Sequence, residues 1–218
     1  MAFEDRAEAG RLLGRRLDKY RGQRALVLAI PRGAVPMARI VADALDGELD
    51  VVLVRKLRAP HNPELAIGSI DETGAVYVDP DTRDLWDEAY LEAEKQAQLA
   101  TLRQRRHQYA SAGAPIDVTG RIVIVLDDGI ATGSTMIAAL RAVRARHPGR
   151  LIAATAVASP EALRLIGGEA DEVVCLETPA FLFAIGYHFR DFSQVPDEQV
   201  IATLREARGS RAGTETHV

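Results

Sequence analysis

The sequence predicts an α/β domain in which a parallel, twisted sheet is flanked by helices. Short runs rich in Val and Ile, such as residues 122–126, alternate with segments of helical periodicity, the pattern of a covered parallel sheet. The composition, 47% apolar and 27% charged over 218 residues, is that of a globular domain with a sizeable core. No apolar run approaches the roughly 20 residues of a membrane-spanning helix.

The elements form a βαβ series after an amphipathic opening helix. That helix, over residues 5–20, places Ala9, Leu13 and Leu17 on one face, and Gly22 ends it. Apolar runs predict strands at residues 25–30, 49–55, 122–127, 151–157 and 172–176. Segments of helical period predict helices at residues 35–45, 134–147, 159–166 and 196–207.

An insertion over about residues 57–118 separates the second strand from the third. It begins with a Pro-rich loop at residues 59–63, continues through a hairpin around Gly74, and ends in a charged helix over residues 84–109. Because this helix has only a thin apolar stripe, we expect it to be a solvated flap or a partner surface. We expect one domain over residues 1–208 and a flexible tail at residues 209–218.

Charge and cysteine content argue against several classes of site and partner. Lys and Arg total 27 against 31 acidic residues, a net charge of −4, so a general attraction to nucleic acid is not expected. The single cysteine, Cys175, allows no internal disulfide and no cysteine-based zinc site. The acidic start lacks the positive region and apolar core of an export signal, so we expect a cytoplasmic protein without a membrane segment.

The strongest local signal lies at residues 123–136, where a buried strand ends in Asp127 and Asp128 and enters a helix through a loop. In an open parallel sheet, ligands bind at the carboxyl ends of the strands. The loop amides and the helix dipole suit a phosphate monoester. The residues of this phosphate cradle are Gly129, Ile130, Ala131, Thr132, Gly133, Ser134 and Thr135. The two carboxylates suit the hydroxyls of a sugar attached to that phosphate, directly or through magnesium.

An alternative interpretation is a capped helix start without a ligand, with Ser134 as N-cap and two solvated carboxylates. Two acids directly before such a turn favour the phosphate site. Other phosphate loops fit less well, because no lysine follows Gly133 and no GxGxxG pattern opens a helix.

A hydrophobic strand, two acids and Ala-Thr-Gly-x-Thr resemble the phosphoribosyl pyrophosphate (PRPP) motif of type I phosphoribosyltransferases. The match is close to the form in adenine phosphoribosyltransferases, and the chain is similar to bacterial proteins described as predicted phosphoribosyltransferases. The resemblance implies a pyrophosphate loop of Arg32, Gly33 and Ala34 after the first strand, and a basic residue, Lys56, at the end of the second. From the residues alone, Pro-Arg-Gly is also a plain turn and Lys56 a strand-end charge.

The resemblance also interprets the insertion and the C-terminal segment. The loop after Lys56 corresponds to a mobile catalytic loop, and about residues 177–195 correspond to a hood in which Phe183 or Tyr187 binds the acceptor. A buried strand and turn is the alternative for this hood. Ala131 stands where hypoxanthine-guanine enzymes have an aspartate, which argues against 6-oxopurine chemistry. Glu64 is the candidate replacement acid/base, with an exposed loop glutamate as the alternative.

These features predict transfer of 5-phosphoribosyl from PRPP to a nitrogen acceptor, with Mg²⁺ and release of pyrophosphate. Asp127 and Asp128 would hold the ribose hydroxyls or the metal and, with Glu64, form the catalytic group. The implied partners are PRPP and a nucleobase-like acceptor, and a homodimer is typical of the family. The rival interpretation is a PRPP-sensing protein that keeps the site without transferase activity. A hydrolase built on the acid pair fits less well, because it needs a nucleophile and general acid at a different spacing.

Overall fold

The structure, a computed structural model, describes residues 3–212, and of residues 63, 64, 111 and 210–212 it describes the backbone alone. Eight strands lie in this part of the chain: β1 (Leu26–Ala29), β2 (Glu48–Val51), β3 (Val54–Ala59), β4 (Asn62–Asp71), β5 (Val76–Val78), β6 (Ile122–Ile130), β7 (Arg150–Ala158) and β8 (Glu172–Glu177). The α-helices described are α1 (Arg6–Arg16), α2 (Ala34–Ala44), α3 (Glu88–Gln108), α4 (Ser134–Arg144), α5 (Pro160–Ile166) and α6 (Asp197–Ala212).

The central layer is a five-stranded sheet in the order β2-β1-β6-β7-β8, with every neighbouring pair parallel. Successive residues of its strands point to opposite faces, so Val27 and Ile124 join a core that includes α1 and α2. Leu28 and Val125 join the opposite core, which includes α4 and α5. The predicted parallel sheet flanked by helices is confirmed. Its strands are mostly apolar because helices cover both faces of the sheet.

The predicted end of the second strand is wrong. β2 stops at Val51, and after a buried bend the chain enters β3, which pairs antiparallel with β4 in a separate sheet, β3-β4-β5. Within β3 the exposed Lys56 and the buried Leu57 alternate, as in a strand with one covered face. Lys56 therefore belongs to the insertion and not to the edge of the central sheet.

The rest of the insertion forms the predicted hairpin and helix with shifted bounds. β4 and β5 flank the turn around Gly74, and the Asp71 carboxylate accepts the amides of Thr73 and Ala75 at 2.9 Å each. The long helix begins at residue 88 and not 84, because the Asp87 carboxylate caps it by accepting the amide of Tyr90 at 2.7 Å. The predicted loop at residues 59–63 is itself a tight turn between the paired strands β3 and β4.

The C-terminal helix is longer than the sequence predicts. α6 continues to Ala212, past the expected start of the tail at residue 209, and the remaining tail, residues 213–218, lies outside the described residues. Within the described residues, no helix combines the length and the apolar character needed to cross a membrane.

A buried carboxylate fastens the insertion and α6 to the edge of the central sheet. Asp50, in β2, is 1% exposed and accepts the amide of Ile116 at 2.9 Å. It also pairs with Arg106 of α3 at 3.4 Å and with Arg208 of α6 at 3.5 Å. Arg106 in turn binds Glu72 in the β4–β5 turn. A carboxylate removed from water in this way is stabilised only while these partners remain.

Replacing Asp50 with Ala leaves two partly buried guanidinium groups without this partner. We expect Asp50→Ala to lower the free energy of unfolding by about 3 kcal/mol, measured by urea denaturation. The matched control is Asp18→Ala, because Asp18 pairs with Arg21 in an exposed ion pair and its loss costs less than about 1 kcal/mol. Equal effects of the two substitutions would contradict the fastening role of Asp50.

Candidate functional site

The site forms where two neighbouring strands end on the same edge of the central sheet. β1 and β6 run in parallel register up to Ala29 and Leu126. The β1–α2 loop (residues 30–33) therefore lies beside the acid pair, Asp127 and Asp128, which follows Leu126 directly. The predicted pyrophosphate loop (residues 32–34) and the two acids are far apart in sequence, and this pairing makes them neighbours.

Gly33 is the point where the β1–α2 loop touches the acid pair. A Cβ at this position would lie 2.1 Å from Oδ2 of Asp128 and 3.1 Å from Nη2 of Arg6. Any side chain here would displace the Asp128 carboxylate or the loop backbone. The loop also contains a cis peptide bond between Pro31 and Arg32.

The β6–α4 loop (residues 131–133) presents free amides at the start of an 11-residue helix. Gly133 has a left-handed backbone, φ +83°, and holds the N-cap position without a side-chain hydrogen bond to the helix. The alternative in which Ser134 caps the helix is therefore wrong. The hydroxyls of Thr132 and Ser134 lie 3.0 Å apart, and Ser159 donates to the carbonyl of Ala131 at 2.8 Å, which fixes the loop. This arrangement suits a phosphate group.

The two acids have different electrostatic surroundings. Asp128 accepts a hydrogen bond from Nε of Arg6 at 2.8 Å, and both side chains are less than 15% exposed. The Asp127 carboxylate accepts the amide of Asp128 at 2.9 Å. Burial, and next the negative charge of Asp128, raise the pKa of Asp127 to about 8. Asp127 therefore holds a proton near neutral pH. A cation bound beside the two acids would favour the loss of this proton.

The β1–α2 loop also carries an arginine that is held by a carboxylate. Arg32 pairs with Asp197, the first residue of α6, at 3.4 Å. Asp197 also accepts the hydroxyl of Tyr109 at 2.9 Å and pairs with Arg105 at 3.4 Å. Burial and the bond to Asp197 raise the pKa of Tyr109 to about 12. One carboxylate therefore links the loop to both α3 and α6.

Two cavities flank the β1–α2 loop. One, of about 420 Å³, has Arg6, Arg32 and Asp128 on its polar side and Ile185 and Phe192 on its apolar side. It joins the acid pair, the loop and the hood segment (residues 177–195).

The other cavity, of about 410 Å³, lies between this loop and α3. Its lining includes Pro31 of the loop, Thr135 at the start of α4, Arg55, and Arg105 of α3. The insertion therefore covers the loop on one side, and the hood segment borders it on the other.

Comparison with known proteins agrees with this geometry. The family model described as "Phosphoribosyl transferase domain" matches residues 3–191. The chain belongs to this family. It is 43% identical to the protein TT1426 of Thermus thermophilus, whose crystal structure superposes with a TM-score of 0.89 over 94% of this chain and 99% of that one. It is also 41% identical over 207 residues to a Mycobacterium tuberculosis H37Rv protein named "Putative phosphoribosyl transferase Rv0571c" and to its counterpart in strain CDC 1551. The chain spans about half the length of these curated relatives, 47%, although they match 94% of it.

The structure gathers most of the residues that the family motif assigns. Asp128, Arg32 and Gly33 line the 420 Å³ cavity, and Asp127 directly precedes Asp128 in β6. The sequence prediction that the strand ends at the acids is wrong, because β6 continues to Ile130 through its pairing with β7, so Gly129 and Ile130 belong to the strand and not to the loop. Ala34 is the fully buried first residue of α2, directly after Gly33. Lys56 is not in this group. It shares a different cavity, of about 280 Å³, with Ser134 and Arg141, because β3 and β4 pack against α4.

The aromatic residues predicted to hold the acceptor are strongly exposed. Phe183 is 87% exposed and Tyr187 79% exposed, and neither lines the 420 Å³ cavity. Ile185 reaches inward between them and approaches Gly129, where an added Cβ would lie 2.2 Å from its Cγ2. Glu64 lies in β4, and its side chain is outside the described part of the structure.

The acid pair fits a metal ion that is shared with a substrate. Among the described residues, no three Asp, Glu, His or Cys side chains gather into a metal site made by the protein alone. Mg²⁺ commonly uses one or two carboxylates together with water and substrate phosphates. Burial, and next the charge of Asp128, raise the pKa of Asp127, and a cation between the acids and a diphosphate would favour its ionised form.

Sequence reasoning missed Arg6, Asp197, Ile185 and Phe192. Arg6 and Asp197 lie at the starts of the first and last helices, 122 and 165 residues from their partners Asp128 and Arg32. No local pattern marks such a pairing. The aromatic hood segment was a signal for Phe192, but periodicity does not tell which of its rings turns inward.

Replacing Asp127 with Asn tests the electrostatics of the acid pair in the ligand-free protein. An unfolded aspartate has a pKa of about 3.9, so the folded chain takes up a proton between about pH 4 and pH 8. The stability of the parent therefore falls as the pH rises through this window. We expect Asp127→Asn to raise the melting temperature by roughly 2–4 °C at pH 8 in EDTA, and by less at pH 5.

The control is Asp171, whose pKa is shifted in the opposite direction, so its replacement should change the melting temperature in the opposite direction. A hydrogen bond from Arg144 lowers the pKa of Asp171, so this group stabilises the fold when ionised, and Asp171→Asn should lower the melting temperature at pH 8. A destabilising effect of Asp127→Asn at both pH values would contradict the unfavourable burial and charge assigned to the ionised Asp127.

Proposed function

We propose that the protein transfers the 5-phosphoribosyl group of PRPP to a nitrogen acceptor of the nucleobase class and releases pyrophosphate. The observation that carries the proposal is that three parts lie at one edge of the central sheet. Asp128 of the acid pair lies against Gly33 of the loop that carries Arg32, and Pro31 of this loop lines one cavity with Thr135 at the uncapped start of α4. A sugar with a phosphate on one side and a diphosphate on the other needs the acids between the helix start and the glycine loop.

Each part has a role in binding PRPP. The amides and hydroxyls from Ala131 to Thr135 hold the 5-phosphate, because the positive end of α4 lies behind them. Asp127 and Asp128 accept the ribose hydroxyls. Arg32 and the amides of Gly33 and Ala34 hold the diphosphate. Lys56 and Ser134 line the same cavity of about 280 Å³, and we propose that Lys56 contacts the 5-phosphate from the insertion.

Magnesium would be held by the acid pair together with PRPP. When bound, it would neutralise negative charge on the diphosphate. The protein's own carboxylates act on the sugar. In the reaction the bond between C1 and the diphosphate oxygen breaks, the bond from C1 to the acceptor nitrogen forms, and that nitrogen loses its proton. Asp127 and Asp128 stabilise the positive charge that develops on the ribose ring. Glu64 is the proposed acceptor of the proton.

The acceptor would enter from the hood side of the 420 Å³ cavity, where Ile185 and Phe192 offer an apolar surface. The exposed rings of Phe183 and Tyr187 lie in the same segment and would stack on it from outside. We also propose a cytoplasmic location for this activity, in keeping with the expectation from the sequence.

The test is pyrophosphate release from PRPP and Mg²⁺ across a panel of purine and pyrimidine bases. We expect release to depend on one base or on a small group of bases. A parent protein that binds PRPP tightly but transfers to none of them would show that the site serves as a sensor, which contradicts the proposal.

Changing both acids to Asn separates binding from catalysis. Asn retains acceptor oxygens, so we expect a loss of about 1.5–3 kcal/mol of PRPP binding for each lost charge-assisted hydrogen bond. Turnover should fall much further, because only interactions that strengthen in the transition state lower the barrier. Equal losses in affinity, by calorimetry, and in turnover would mean that the acids only position the sugar.

Two changes in the β6–α4 loop test the phosphate site. Gly133→Val forces a β-branched residue into a left-handed backbone, and Thr135→Ala removes a hydroxyl donor. We expect both to weaken binding of ribose 5-phosphate, the first more strongly. Binding equal to the parent in two variants with unchanged far-ultraviolet circular dichroism would place the phosphate elsewhere.

A further inference from the structure

Arg6 lies at the centre of the site although it belongs to the first turn of α1. Its Nε donates to Asp128 at 2.8 Å, its Nη1 donates to the carbonyl of Ser193 at 2.7 Å, and its guanidinium carbon lies 3.9 Å from the centre of the Phe192 ring. Only 12% of the side chain is exposed. Asp128 and the hood segment, through Ser193 and Phe192, therefore hold this guanidinium in one position.

The helix itself gives no reason for a cation at this position. Arg6 is the first residue of α1, where the helix dipole favours negative charge. The other charged groups of this turn have the favourable sign, since the Asp5 carboxylate caps the helix and Glu8 is acidic. A buried arginine here is unfavourable for α1 alone, so its position is better explained by the site that it faces.

Arg6 and Arg32 form a pair of cations on one cavity. Both line the 420 Å³ cavity, and each is held by a carboxylate, Arg6 by Asp128 and Arg32 by Asp197. Nη2 of Arg6 lies at the backbone of the β1–α2 loop, 3.1 Å from the position that a Cβ of Gly33 would take. A diphosphate bound to the amides of this loop would therefore lie within reach of both guanidinium groups.

We propose that Arg6 is a pyrophosphate-binding residue, an inference that rests on the proposed function. In the structure its guanidinium is held by Asp128. When PRPP binds, the ribose hydroxyls take the Asp128 carboxylate, and the planar fork of Arg6 binds oxygens of the diphosphate together with Arg32. The same carboxylate thus holds the arginine before binding and the sugar afterwards.

The test compares three ligands by calorimetry in the presence of Mg²⁺: PRPP, inorganic pyrophosphate and ribose 5-phosphate. We expect Arg6→Gln to weaken PRPP and pyrophosphate roughly ten- to a hundredfold, the loss of a charge-assisted contact, while ribose 5-phosphate changes less than about threefold. The matched control is Arg11→Gln, an exposed arginine on the same helix, which should leave all three affinities unchanged.

Arg6→Lys keeps the protein testable if Arg6→Gln does not fold. Lysine retains the charge beside Asp128 but lacks the fork, so a smaller loss confined to the two diphosphate ligands is expected. Equal weakening of all three ligands would overturn the proposal, because Arg6 would then act only through Asp128. Tighter pyrophosphate binding in either variant would also overturn it, since the arginine would then block the site.

The parent protein separates this inference from the proposed function. If it binds ribose 5-phosphate but not pyrophosphate, the role of Arg6 is wrong and the phosphoribosyl site stands. If it binds none of the three ligands, the proposed function itself is wrong.

Discussion

The parallel pairing of β1 with β6 is the constraint on which the site depends. Their pairing reaches Ala29 and Leu126, so the β1–α2 loop leaves the sheet beside the acids, while β6 continues to Ile130 next to β7. Gly33 then allows the first loop to touch Asp128 without a side chain between them. A shift of one residue in this register would turn Asp128 to the opposite face of the sheet and separate it from Gly33.

The rest of the chain supplies opposite charges to this edge. α1 brings Arg6 to Asp128, and α6 brings Asp197 to Arg32. Both contacts join chain ends to the centre of the fold, and α3 adds Arg105 and the Tyr109 hydroxyl to the same carboxylate. Arg6 and Arg32 are therefore each balanced by a carboxylate, and these ion pairs hold both guanidinium groups in place at the site. This preorganisation lowers the cost of binding a highly charged substrate.

The sequence predicted what depends on neighbouring residues and not what depends on long-range packing. The β6–α4 loop is local: two acids, a glycine with a left-handed backbone and a helix start follow one another within ten residues, so its position in the fold was predictable. The end of β2 was not, because an apolar run continues through the bend into β3 and gives no break at Val51. Lys56 was therefore assigned to the wrong sheet. In the hood, composition predicted an aromatic segment, but only packing against Gly129 and Arg6 shows that Ile185 and Phe192 turn inward.

A crystal structure with bound ribose 5-phosphate tests the central claim most directly, because it locates the phosphate and the sugar without relying on turnover. The account predicts phosphate oxygens on the amides between Ala131 and Thr135, with the ribose hydroxyls on Asp127 and Asp128. A phosphate bound at any other place, with these amides facing only solvent, would contradict it.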